Sequence, residues 1–131
     1  MATYNRFEDL PVWQHAREMA KGIFVLIHAT AIERNFKLKD QMFGSSGSIM
    51  DNVAEGFERG GNKEFVQFLF YAKGSAGELR SQLYRSFDYG YLSEKQFAET
   101  REKVERISAE IQNFTEYLAK SVDPGYKYRN R

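Results

Sequence analysis

Pro11 and Pro124 are the only prolines in a chain of 131 residues. Proline breaks helices because it lacks a backbone donor and clashes with the preceding turn. Everything from residue 12 to residue 123 is free of it, and apolar residues recur inside that stretch at helical spacing. In residues 10–30, Trp13, Ala16, Ala20, Ile23 and Ile27 step by three and four along one face, and Asp9 ahead of Pro11 suits a helix start. The run 23–27 alone also suits a buried strand, but the longer pattern through Trp13 favours a helix. Residues 36–59 carry a stripe of Leu38, Met42, Ile49, Val53 and Phe57. Residues 62–89 carry Phe65, Phe68, Leu69, Ala72, Ala76, Leu79 and Leu83, after a Gly60-Gly61 break with Asn62 as expected N-cap. Residues 93–122 open with Ser93-Glu94-Lys95-Gln96, the pattern of a capping box, and continue through Phe97, Val104, Ile107, Ile111, Phe114 and Leu118.

Four helices with short links imply an all-α, antiparallel up-and-down four-helix bundle in one domain spanning residues 1–131. The tail from residue 123 is expected to be mobile. Two stretches strain this reading. Gly44-Ser45-Ser46-Gly47-Ser48 favours a loop by propensity, since each helix-interior glycine costs about 1 kcal/mol. Gly74-Ser75-Ala76-Gly77 repeats the theme on the next segment. If both are helical, the small residues let the two backbones approach closely.

Composition excludes several classes. Hydrophobic residues make up 42% and charged residues 28%, too apolar for disorder. There is no cysteine, which removes disulfides, thiolate metal sites and cysteine nucleophiles. No apolar run approaches the length of a membrane span, and Met1-Ala2-Thr3-Tyr4-Asn5-Arg6 begins no signal peptide, so a cytoplasmic location is expected. The two histidines, His15 and His28, lie about 140° apart on a helix and lack the Glu-x-x-His pattern of helical metal sites. Neither a metal nor a cofactor is expected.

The ordered motifs resemble the four-helix bundle family of 23S rRNA intervening-sequence proteins. Phe7-Glu8-Asp9-Leu10 with Val12-Trp13-Gln14 matches the opening pattern. Ser48-Ile49 and then Asn52-Val53-Ala54-Glu55-Gly56-Phe57, followed by Lys63-Glu64-Phe65, match its most specific motif. Phe68-Leu69, Ala72, Gly74-Ser75, Glu78-Leu79, Gln82-Leu83 and Gly90-Tyr91 continue the match, which covers residues 7–120. The resemblance implies a left-turning bundle that assembles as a homopentameric ring, with RNA binding supposed from the family name. The family also resembles the accessory protein of diversity-generating retroelements, which works with a reverse transcriptase and nucleic acid. The family often carries a basic pair shortly before the Ser-Ile of the second helix. This chain has Gln41-Met42-Phe43-Gly44 there.

Ser48, Asn52 and Glu55, with Ser75 and Glu78, could in principle do acid–base work. A hydrogen-bonded layer that sets helix register is preferred, because no nucleophile or cofactor motif accompanies them. Gly56 and Gly74 belong to the same structural motif, and the chain reads as non-enzymatic. For nucleic acid, the candidate contacts are Lys37 with Lys39, Arg59 with Lys63, and Lys127, Arg129 and Arg131, which interleave with Tyr126 and Tyr128 in the tail. The net charge is only +1, so a ring would be needed to sum small basic patches into one field. The competing reading is a protein-only scaffold. Aromatic content is 15%, and Phe7, Trp13, Phe24, Phe36, Phe43, Phe70, Tyr71, Tyr84 and Phe87 exceed what a narrow core encloses. Some are expected on a subunit interface, where Phe43→Arg or Phe70→Glu would yield a folded monomer.

Overall fold

A computed structural model describes residues 4–120. It contains four helices, α1 (Pro11–His28), α2 (Phe36–Glu58), α3 (Asn62–Asp88) and α4 (Glu94–Lys120), with short 3-10 turns at Phe7–Asp9 and Ala31–Arg34. They form an all-α, up-and-down four-helix bundle. A contiguous core runs down its axis, built from Ile23 and Ile27 of α1, Leu38, Met42, Ile49 and Val53 of α2, Leu69, Ala76, Leu79 and Leu83 of α3, and Val104 and Ile111 of α4. Full burial of each large aliphatic side chain contributes about 1.5–3 kcal/mol.

The helix ends follow local chemistry. Pro11 occupies the first turn of α1, where its missing N–H has no partner to lose. Leu10, rather than Asp9, stands at the N-cap, and Asp9 closes the preceding 3-10 turn. Asn35 caps α2, its side-chain oxygen accepting from Leu38 N at 3.1 Å. The expected capping box on α4 is present: Gln96 N donates to Ser93 Oγ at 3.1 Å, and Ser93 N donates to Gln96 Oε1 at 2.9 Å. Asn62 is not a cap. Gly61 takes the extended cap conformation and Asn62 is the first helical residue. The break before α3 uses Gly60 at φ +85°, and beyond the end of α3 at Asp88 the chain turns at Gly90, φ +79°, where Gly90 N reaches Phe87 O and Tyr91 N reaches Ser86 O, both at 2.9 Å. These positive angles favour glycine.

The stretch 44–48 is helical, as tertiary packing overrides its propensity. The reason differs from expectation. A Cβ at Gly44, Gly47, Gly74 or Gly77 would meet nothing within 4 Å. The close approach of α2 to α3 is at Gly56, where a Cβ would lie 2.7 Å from Phe68 Cβ and 2.9 Å from Phe65 Cδ1. Several aromatics set aside for an interface fold inward instead. Phe7 and Trp13 pack edge to face at 5.2 Å, Phe87 stacks on Phe97 at 4.7 Å, and Phe43 packs on the core.

Candidate functional site

The facing flanks of α2 and α3 form a polar seam. Gln41, Ser45, Ser48 and Asn52 recur at steps of four, three and four on α2, which places them on one stripe. Arg85 Nη1 donates to Gln41 Oε1 at 2.9 Å. Ser45 Oγ reaches Glu78 Oε1 at 3.1 Å and its own Gln41 carbonyl at 3.0 Å. Ser75 Oγ donates to Ser48 Oγ at 2.9 Å, and Asn52 Nδ2 donates to the same oxygen at 2.9 Å and to the Ser48 carbonyl at 2.8 Å. With Gly56 against Phe68, these pairs trace one unbroken antiparallel register. Glu55 stands apart from the layer. It is exposed and pairs with Arg59 one turn on, Oε2 to Nη2 at 2.9 Å. Glu78 is exposed at the rim. The two carboxylates of the motif therefore do not share a site. The seam is thus a hydrogen-bonded layer, neutral at Ser48, Asn52 and Ser75 and charge-assisted at Glu78 and Arg85.

The candidate nucleic-acid contacts separate into three situations. Lys37 and Lys39 lie in the first turn of α2, which holds no carboxylate. Cations at a helix N-terminus oppose the macrodipole, so they do not serve the helix. Lys39 Nζ stands 4.8 Å from the ring centroid of Phe36, a residue 70% exposed. Arg59 is in the opposite state. It contacts Glu55 and also Glu64, Nη1 to Oε2 at 3.7 Å, and lies 5.1 Å over the Phe68 ring. The Glu55 hydrogen bond above all, then the attraction of Glu55 and Glu64, raises its pKa beyond the ordinary guanidinium value against an opposing desolvation effect. Its partner in the sequence reading, Lys63, is exposed. Lys127, Arg129 and Arg131 lie outside the described residues, as does the whole tail from 123.

Sequence reasoning missed Arg85. It comes from the far end of α3 to the first half of α2, bonding Gln41 and lying 6.0 Å over the ring of Tyr89, itself half exposed. Lys37 lies one turn before Gln41, so Arg85 joins it at the same end of the bundle. Among the described residues none of Lys37, Lys39 and Arg85 forms an ion pair. The (i, i+4) spacing of Arg85 and Tyr89 is the signal that was available. On α4, Arg101 donates to Tyr84 Oη at 3.3 Å and covers Phe97 at 5.2 Å. That hydrogen bond is the first cause of its raised pKa. Each histidine meets a carboxylate: His15 Nδ1 is 2.8 Å from Glu110 Oε1, and His28 Nδ1 is 3.0 Å from Glu33 Oε1. Among the described residues no group of three His, Asp or Glu side chains could hold a metal, and no helix is long and apolar enough to cross a membrane.

Fold and seam define an all-helical bundle held in register by a polar layer between its second and third helices. The chain belongs to the 23S rRNA-intervening sequence protein family, whose model matches residues 8–113. Its fold is similar to the crystal structure of a protein of unknown function from the S23 ribosomal protein family of Bacteroides thetaiotaomicron. The two share 21% identity and a TM-score of 0.74, over 79% of this chain and 97% of that one. No curated protein matches the chain.

Proposed function

We propose that this protein is a non-enzymatic, cytoplasmic adaptor that assembles into a homopentameric ring and binds single-stranded nucleic acid, RNA in the first instance. The supporting observation is the bundle end formed by the start of α2 and the finish of α3. Two exposed rings, Phe36 and Tyr89, each lie under a cation, Lys39 and Arg85, with Lys37 beside them. Exposed aromatics stack on bases and unneutralised cations meet phosphates. The link to RNA rests on the family's name, and the ring of five on the family resemblance. Repetition around an axis would multiply a patch too small to act alone.

A second reading, a protein-only scaffold, is favoured by the charge balance. Through residue 120 the chain carries 16 Lys and Arg against 17 Asp and Glu, because three of the 19 cations and one of the 18 carboxylates lie in the tail. Phe70 and Tyr71 are also half exposed on α3.

Fluorescence anisotropy with labelled RNA and DNA oligomers over a salt series separates the two. Adaptor binding weakens steeply with salt, and Phe36→Ala with Lys37→Ala and Lys39→Ala removes it. A chain truncated after Val122 measures what the tail adds. No binding at low salt by protein shown to be oligomeric sinks the adaptor reading and leaves the scaffold. Phe70→Glu and Phe24→Glu are the variants for assembly and should yield folded monomers. Phe43→Arg is a poor choice, because Phe43 packs on the core.

A further inference from the structure

The first and last helices meet along a seam that side chains do not fill. Between α1 and α4 lies a cleft of about 630 Å³, within the usual size of small-molecule sites. Beneath it lies the core, Ile23 and Ile107, and its apolar surface comes from the edge of Met19 and from Val25, which is 64% exposed. Gly22 lines it, and a Cβ built there would meet nothing within 4 Å. Glycine inside a helix costs stability, and no neighbour in the described chain takes up the space it leaves. The His15–Glu110 pair, at 2.8 Å, bridges the two helices at the rim.

The charges around the cleft are unevenly matched. Lys21 lies 3.3 Å from Glu18, Arg106 is held by Glu102 at 2.6 Å, and Glu110 is bonded to His15. Lys103 has no ion pair among the described residues. An apolar surface beside one unmatched cation suits a molecule with an apolar body and a single negative head. We propose that this cleft is a binding site for a monoanionic amphiphile, its tail along Val25 and Met19 and its head against Lys103.

The probe is dodecanoate below its micellar concentration, titrated calorimetrically into the full-length protein, with dodecyltrimethylammonium as the chain-matched cation. Dodecanoate should saturate one site per chain and bind at least about tenfold more tightly than the cation, as a charge-assisted contact to the ammonium requires. In protein labelled at the methionine methyls, the Met19 signal should shift while those of Met42, in the core, and Met50 stay in place. Lys103→Glu should reverse the preference for the anion. Gly22→Leu should abolish binding by filling the cleft, with circular dichroism as the check on folding. Should that variant not fold, Lys103→Glu at an exposed position still decides. Absence of saturable binding overturns the proposal. So does binding that shifts Met42 or Met50 instead of Met19, or an anion preference that survives Lys103→Glu.

Discussion

The α2–α3 and α1–α4 seams are both antiparallel helix pairs with glycine beside them, yet they behave oppositely. At α2–α3 the backbones close until Gly56 touches Phe68 and Phe65, and Gln41, Ser45 and Ser48 bond across the gap to Arg85, Glu78 and Ser75. At α1–α4 the helices stand apart around Gly22 and leave a cleft. Small residues therefore permit close approach without compelling it. What decides is whether matched polar partners pull the helices together. The α2–α3 seam has such partners along its length, whereas α1 and α4 are bridged by the His15–Glu110 pair, whose imidazole is 61% exposed, so that it contributes little.

The sharpest way to break the contrast is to add bulk where the seam is tight. Gly56→Leu should lower stability by about 3 kcal/mol, because Phe68 Cβ is anchored to backbone and cannot swing away. Urea unfolding measures it, and a wild-type midpoint would show that α2 and α3 are free to separate. The next effect is the hydroxyl pair. Ser75→Ala and Ser48→Ala should each cost about 1 kcal/mol, with a double-mutant cycle returning a coupling of about 0.5–1 kcal/mol. Full additivity would mean that the 2.9 Å contact does not set register. Opposite in sign, Gly22→Ala should stabilise by about 0.5–1 kcal/mol, since it gains helix propensity and meets no neighbour. A drop in thermal midpoint for this variant would mean the α1–α4 seam is closed in solution. Smallest is Glu55→Gln, which removes a solvent-screened pair with Arg59 and should change stability by less than about 0.5 kcal/mol. If it folds with unchanged stability but loses nucleic-acid binding, the structural reading of Glu55 fails.

Much of the fold was legible along the chain. The proline-free interval, the three-and-four spacing of core residues, Ser93-Glu94-Lys95-Gln96 and Gly60-Gly61 are local signals, and each located a helix or its end to within a few residues. The facing of the two serine-rich stretches was also legible, since Ser48 meets Ser75. Residues were misassigned where a choice depended on neighbours distant in sequence. Gly44 and Gly74 look identical to Gly56 in one dimension. Only the approach of Phe65 and Phe68 from α3 distinguishes them. Glu55 looks like a member of the Ser48–Asn52 face, but its side chain is exposed and bonds Arg59 of its own helix. Arg85 lies 44 residues from Gln41, and nothing local to either predicts that they meet.

By itself the sequence determined helix number, helix limits and most of each apolar face, because propensity, capping and periodicity act within a few residues; on α1 the buried face takes Val12 and Met19 where the spacing pointed to Trp13 and Ala20. The tertiary structure alone decided which glycine carries a close contact, which cations remain without a carboxylate, and that α1 and α4 leave a cleft. Those outcomes are set by distances between side chains on different helices, and such distances exist only once the bundle has closed.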